Sequence, residues 1–146
     1  MKIDVLVTHW NDAARRREIE QIRRRVFIEE QGVPEALEWD GDDAGAIHFL
    51  ALADRQPAGC ARLLADGRVG RMAVLPRWRG HGIGRRLLQR CEATARERGL
   101  SELRLSAQLQ ALDFYLRQGY EPVMDHVYLD AGIPHRDLRR SLEPSS

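Results

Sequence analysis

Gly80, Gly82 and Gly84 alternate within Arg79-Gly80-His81-Gly82-Ile83-Gly84, and an apolar helical pattern begins at Ile83. Glycine has no Cβ, so such a stretch lets successive backbone N–H groups turn toward one point. A helix start adds unpaired donors and partial positive charge, the ingredients of an anion site suited above all to phosphate. Arg79, Arg85 and Arg86 add guanidinium groups that pair well with phosphate oxygens. Two familiar phosphate loops are excluded by their own requirements. There is no Gly-Lys-Ser/Thr ending, and Arg85 and Leu87 stand where a dinucleotide fingerprint would place its third glycine. A glycine-rich turn beside a solvated basic helix face is the alternative reading.

The elements around this loop follow from periodicity and punctuation. Residues 2–8 alternate as a strand, and residues 11–31 read as a helix capped by Asn11 or Asp12, with Ile19, Ile22 and Val26 on one face and Gly32 as its stop. A polar loop of acids and glycines follows over residues 33–46. Residues 47–53 and 58–64 flank a turn signal and form a hairpin, and residues 68–75 add a third strand after Asp66-Gly67. The helix over residues 83–99 turns Ile83, Leu87, Leu88, Cys91 and Ala95 inward and ends at Gly99. Residues 101–107 form a short strand and 108–118 a short helix stopped by Gly119; 120–130 and 134–142 are closing strands. Hairpins followed by a βαβα unit imply an α+β (mixed α/β) fold with a mixed sheet and helices on both faces.

Composition narrows the class. A chain of 146 residues fits a single domain, 1–146, and 43% apolar with 31% charged residues describes a globular protein. No apolar run approaches the ~20 residues a membrane helix needs, and the start is too soon polar for a signal peptide. Cys60 and Cys91 lack metal-ligand spacing and suit a reduced, cytoplasmic setting. The net charge of +1 argues against a general nucleic-acid binder, although Arg15–Arg25 forms a basic run interrupted by Glu18 and Glu20.

Three blocks carry a family resemblance. Arg79 to Gly84 matches Arg/Gln-x-x-Gly-x-Gly/Ala after a strand ending Met-Ala-Val. The stretch QLQALDFYLRQGY supplies Ala111, Phe114, Tyr115, Gly119 and Tyr120 of a second motif, with Gln108 where asparagine is usual. The segments RRRVFIEEQGVPEALEWDGDDAGAIH and YLDAGIPHRDL complete the pattern. The chain resembles the GCN5-related N-acetyltransferases, the GNAT superfamily, and within it the small bacterial ElaA-like and YjcF-like proteins. The resemblance covers nearly the whole chain. It implies a mostly antiparallel mixed sheet of 6–7 strands with about 4 helices, split between its two central strands to admit acetyl-CoA. The backbone of Met72, Ala73 and Val74 would pair with the pantetheine arm. Residues Arg79, Gly80, His81, Gly82, Ile83 and Gly84, with Arg85, would hold the pyrophosphate, and Gln108 and Tyr115 would lie beside the bound molecule.

The implied reaction is transfer of the acetyl group of acetyl-CoA to a primary amine of a small molecule or a protein, in a ternary complex. Acyl transfer from a thioester needs a neutral amine and a proton for the leaving thiolate. A tyrosine phenol, with an ordinary pKa near ~10, stays protonated at neutral pH and can supply it, which makes Tyr115 the general acid. Glu29 is the candidate base. Glu30, Trp39, His48 and His135 are candidates for the acceptor wall, where Trp39 would cover a cationic amine. The acidic stretch Glu35, Glu38, Asp40, Asp42 and Asp43 also points to a cationic acceptor. Within it, Asp40-Gly41-Asp42-Asp43 is too sparse for a calcium loop, lacking that site's glutamate and spacing, and no metal is expected. A catalytically silent CoA-binding module is the second reading and a nucleic-acid-binding protein the third; a homodimer is compatible with the first.

Overall fold

The computed structural model describes residues 1–143. Its elements are β1 (Ile3–His9), α1 (Ala13–Arg23), α2 (Glu35–Glu38), β2 (Ile47–Ala53), β3 (Gln56–Leu63), β4 (Arg68–Val74), α3 (Ile83–Glu97), β5 (Glu102–Gln108), α4 (Leu112–Arg117), β6 (Glu121–Asp130) and β7 (Ile133–Ser141). Asp12 caps α1 by accepting the Arg15 N–H. Beyond Arg23 the helix widens into a π-helical segment, Arg24–Glu30, closed by a Gln31 N–H that reaches back to the Val26 carbonyl at 3.1 Å. The helix expected over 11–31 is thus two segments of different pitch. The short helix α2 lies within the stretch expected to be loop.

Seven strands form one sheet in the order β1-β2-β3-β4-β5-β7-β6. All neighbours are antiparallel except β4 and β5. Strand alternation builds a core on each face. Phe49, Ala51, Ala61 and Leu63 pack with Ile83, Leu87, Leu88, Cys91 and Ala95 of α3. On the other face Leu50, Cys60 and Ala73 pack with Ile19, Ile22 and Val26. Each fully buried leucine or isoleucine contributes roughly 2 kcal/mol, so the two helices are clamped to opposite faces by several such residues each.

The parallel pair β4–β5 is very short. Arg68 faces Arg104 and Val69 faces Leu105, and there the pairing ends. The reason lies on β4, where Arg62 faces Gly70 but Cys60 faces Ala73, an extra residue on the β4 side. Arg71 absorbs it at φ 48°, in the left-handed region. Such a bulge bends and twists its strand, and here it turns β4 away from β5. Meanwhile β5 stays paired with β7 out to Gln108 opposite His135. The sheet therefore opens from its middle toward one end.

Candidate active site

The glycine loop lies at the open end of the sheet. Gly80 and Gly82 hold φ of 83° and 79°, conformations that side chains resist, and a Cβ built on either would meet nothing within 4 Å. Their glycines answer to backbone conformation, not crowding. The first helical hydrogen bond of α3 runs from the Arg86 N–H to the Gly82 carbonyl at 3.1 Å. The N–H groups of Ile83, Gly84 and Arg85 therefore have no acceptor within the helix. Gly84 sits 3.6 Å, measured from an added Cβ, from the Phe114 ring of α4.

A residue unremarked in the sequence sets where this helix end lies. A Cβ at Gly59 of β3 would come within 2.9 Å of the Ala73 carbonyl and 3.2 Å of Ile83 and Leu87. Only glycine lets α3 approach β3 so closely, which places the α3 N-terminus against the end of β4. The available signal was a glycine inside an otherwise apolar strand pattern, which marks a close approach.

The parted strands frame a cleft of about 600 Å³. Met72, Ala73 and Val74 form one wall; Ala107, Gln108, Tyr115 and His135 form the other, with the β6–β7 turn at Asp130 and Ala131 closing one side. Gln108 bridges the walls by donating its amide N–H to Gln31 Oε1 at 2.8 Å, beyond the π-helical segment. Tyr115 stacks edge-on against Phe114 and Tyr120, and burial raises its phenol well above the ordinary tyrosine range. It is a protonated phenol at neutral pH. His135 is buried and its Nδ1 faces the Ile133 carbonyl at 2.7 Å.

Arg79 and Glu30 also line the cleft, but as a pair. Both Arg79 terminal nitrogens meet the Glu30 carboxylate at 2.7 Å while its Nε donates to the Val74 carbonyl at 3.0 Å. Glu30 is thus the partner of Arg79, not a residue left free for an acceptor. Glu29, one step round the helix, is exposed and is not among the residues that line the cleft. Arg85 and His81 are exposed beside the loop, and Trp78 lies edge-on to His81.

Two further acceptor-wall expectations are corrected. His48 is buried, stacked on Trp10 at 4.6 Å with its Nε2 on the Asp43 carbonyl at 2.9 Å, and burial lowers its pKa. It is a neutral core residue. Trp39 covers a cation, but the cation is the protein's own: Arg23 lies 4.9 Å and Arg24 5.7 Å from its ring.

The acidic stretch is likewise turned inward. Arg23, fully buried, meets Glu38 at 2.8 Å and Asp43 at 2.7 Å. Arg62 holds both Asp40 oxygens at 2.9 Å and Asp43 at 3.2 Å. Arg71, from the bulge, reaches Asp40 and Glu38 at 3.1 Å and the Glu38 carbonyl as well. Three carboxylates thus neutralise three arginines, and Glu35 is taken by Arg24 at 2.6 Å. Burial opposes the ionisation of Asp40, but Arg62 and the Asp42 N–H outweigh it and bring its pKa to about 2. What the sequence offered as a cation receptor is the fastener that ties α1, the acidic segment and the β4 bulge together.

Among the described residues no group of three or more histidines, cysteines or acids is arranged to hold a metal ion, and no helix is long and apolar enough to cross a membrane. Comparison with known proteins agrees with the geometry of the cleft. The family model described as the acetyltransferase (GNAT) domain matches residues 11–142. The chain is 34% identical over 122 residues to the N-acetyltransferase YjcF of Bacillus subtilis, covering 82% of this chain and 87% of that protein. An acyl-CoA N-acyltransferase from Pseudomonas aeruginosa superposes with a TM-score of 0.84 at 32% identity, covering 95% and 99% of the two chains. Escherichia coli ElaA superposes at 0.83 with 27% identity over the same shares. With a split mixed sheet, a left-handed glycine loop opening α3 and a family match over nearly its whole length, this chain belongs to the GNAT family and is an N-acetyltransferase.

Proposed function

We propose that the protein transfers the acetyl group of acetyl-CoA to a primary amine by direct attack within a ternary complex. The observation that carries this reading is the parting of β4 from β5 after Val69 and Leu105, beside a helix N-terminus whose first donors are unspent. The residues present fit the pyrophosphate of acetyl-CoA: Gly80 and Gly82 hold left-handed backbone with open space beside them, and the helix end supplies N–H groups and partial positive charge. When bound, acetyl-CoA supplies the acyl group as an activated thioester.

The chain's own contribution is positioning and proton handling. Among the described residues the β4 edge from Gly70 to Val74 has no strand partner on its β5 side, so its backbone groups there are available to an extended ligand. Gly80 to Arg85 hold the anionic end. Tyr115 keeps its proton because burial penalises the phenolate, and it serves as the acid for the departing thiolate. Arg79 shapes the cleft through Glu30 and the Val74 carbonyl.

Calorimetric titration with acetyl-CoA, CoA, NAD and ATP tests the reading. Selective binding of acetyl-CoA and CoA supports it. Equal weak binding of all four would reduce the loop to a generic anion site, and binding with no transfer to any amine would leave a CoA-binding module.

A further inference from the structure

Beyond the split, β5, β7 and β6 present one polar face. Leu103, Leu105 and Ala107 are buried against α3, so Arg104, Ser106 and Gln108 stand on the opposite side. Ser106 faces Asp137 across β5–β7, and Tyr128 of β6 lies diagonally over the pair. The Ser106 hydroxyl contacts the Tyr128 hydroxyl, which donates to Asp137 Oδ1 at 2.6 Å. Ser106 is the hinge of the arrangement, for it lines both the main cleft and a second hollow that contains Tyr128, Asp130 and Asp137.

Proton counting gives this chain a direction. A carboxylate only accepts, so the single Tyr128 proton points to Asp137. The Tyr128 oxygen then accepts from Ser106, which leaves the Ser106 oxygen able to accept from whatever stands in the cleft. Asp137 is exposed and can pass a proton to water. From these observations we infer that Ser106, Tyr128 and Asp137 form the proton exit for the acceptor amine. The inference rests on the transferase reading.

The balance is as follows. As the new C–N bond forms and the C–S bond breaks, the nitrogen proton passes to Ser106, the Ser106 proton to Tyr128 and the Tyr128 proton to Asp137. The thiolate takes its proton from Tyr115. Asp137 then loses a proton to solvent and Tyr115 regains one, so amine and thioester become amide and thiol with no other reactant. Ser106 is the cleft-facing member; Tyr128 and Asp137 act through it. This role for the β5–β7–β6 face replaces the base expected at Glu29.

The test uses the full chain with acetyl-CoA and methylamine, following thiol release in mixtures of H₂O and D₂O. Tyr128→Phe and Asp137→Asn should each lower kcat about 100-fold, with the KM for methylamine and the affinity for acetyl-CoA within about twofold of wild type. Asp137→Glu should recover part of the loss. The wild-type rate should fall along a curve with deuterium fraction, the mark of several protons in flight, and the Tyr128→Phe rate along a flatter curve, because only the nitrogen and Tyr115 protons still move. A straight line for the wild type, or variants with normal kcat, would overturn the exit while leaving the transferase reading intact. Wild-type protein that binds acetyl-CoA yet releases no thiol to methylamine or water would overturn both.

Discussion

The glycine loop before α3 and the acidic segment at residues 35–43 both read, in sequence, as places to recognise charge. They differ in what the fold leaves unpaired. At the loop, the donors belong to the backbone at a helix start, and helix geometry itself denies them an internal partner. In the acidic segment, the acceptors belong to side chains, and Arg23, Arg62 and Arg71 consume them inside the molecule. A binding site is charge that folding has not spent. Backbone donors at a glycine-rich helix start are hard to spend, whereas long arginines from three different elements spend carboxylates easily.

The comparison can be broken first at its buried side. Arg23→Met would leave Glu38 and Asp43 short of a fully buried partner and should cost about 4 kcal/mol of stability, read as a lowered urea midpoint. A change of under ~1 kcal/mol would mean water reaches the cluster, because surface pairs contribute no more than that. Next, Gly82→Glu adds a carboxylate to the anion cradle at a left-handed position and should weaken acetyl-CoA by about 100-fold or more by calorimetry, an effect of ~3 kcal/mol. Unchanged affinity would take the pyrophosphate away from this loop.

Tyr115→Phe sharpens the chemical side. It should lower kcat roughly 30-fold with acetyl-CoA affinity intact, since it removes a proton donor and little volume. Normal turnover would leave Tyr115 as packing and assign the proton to water. Acid titration then returns to the cluster. Asp40 sits near 2 in the fold against an ordinary 3.8. Its stabilising contribution is present above pH ~4 and lost as pH falls toward 2; for so exposed a rim group this is about 1 kcal/mol. Asp40→Asn should flatten that part of an acid-unfolding curve. The smallest effect expected is that of Glu30→Gln, which frees Arg79 beside the cradle and should tighten acetyl-CoA about threefold. Weaker binding would show that Glu30 orients Arg79 for the ligand instead of competing for it.

Much of the architecture was legible because it is local. The α3 face follows from the spacing of Ile83, Leu87, Leu88, Cys91 and Ala95, and all five are buried. The hairpins follow from their turn residues. The widening of the helix after Arg23 was not legible, because a π-helical segment keeps the same apolar residues roughly in line. Nor was α2, four residues long and held by Arg23 and Arg71 more than by its own propensity.

At the site the division has the same cause. The sequence by itself determined the glycine loop, the helix it opens and the phenol of Tyr115, since each depends on residue type and short spacing. Only the tertiary structure decided that Arg79 pairs with Glu30, that Glu29 faces solvent, that His48 and Trp39 serve the core and the protein's own arginines, and that Ser106, Tyr128 and Asp137 meet. Those outcomes depend on strand register and on which side chains cross between elements far apart in the chain. The bulge at Arg71, one residue inserted opposite β3, opens the cleft, and no local pattern announces it.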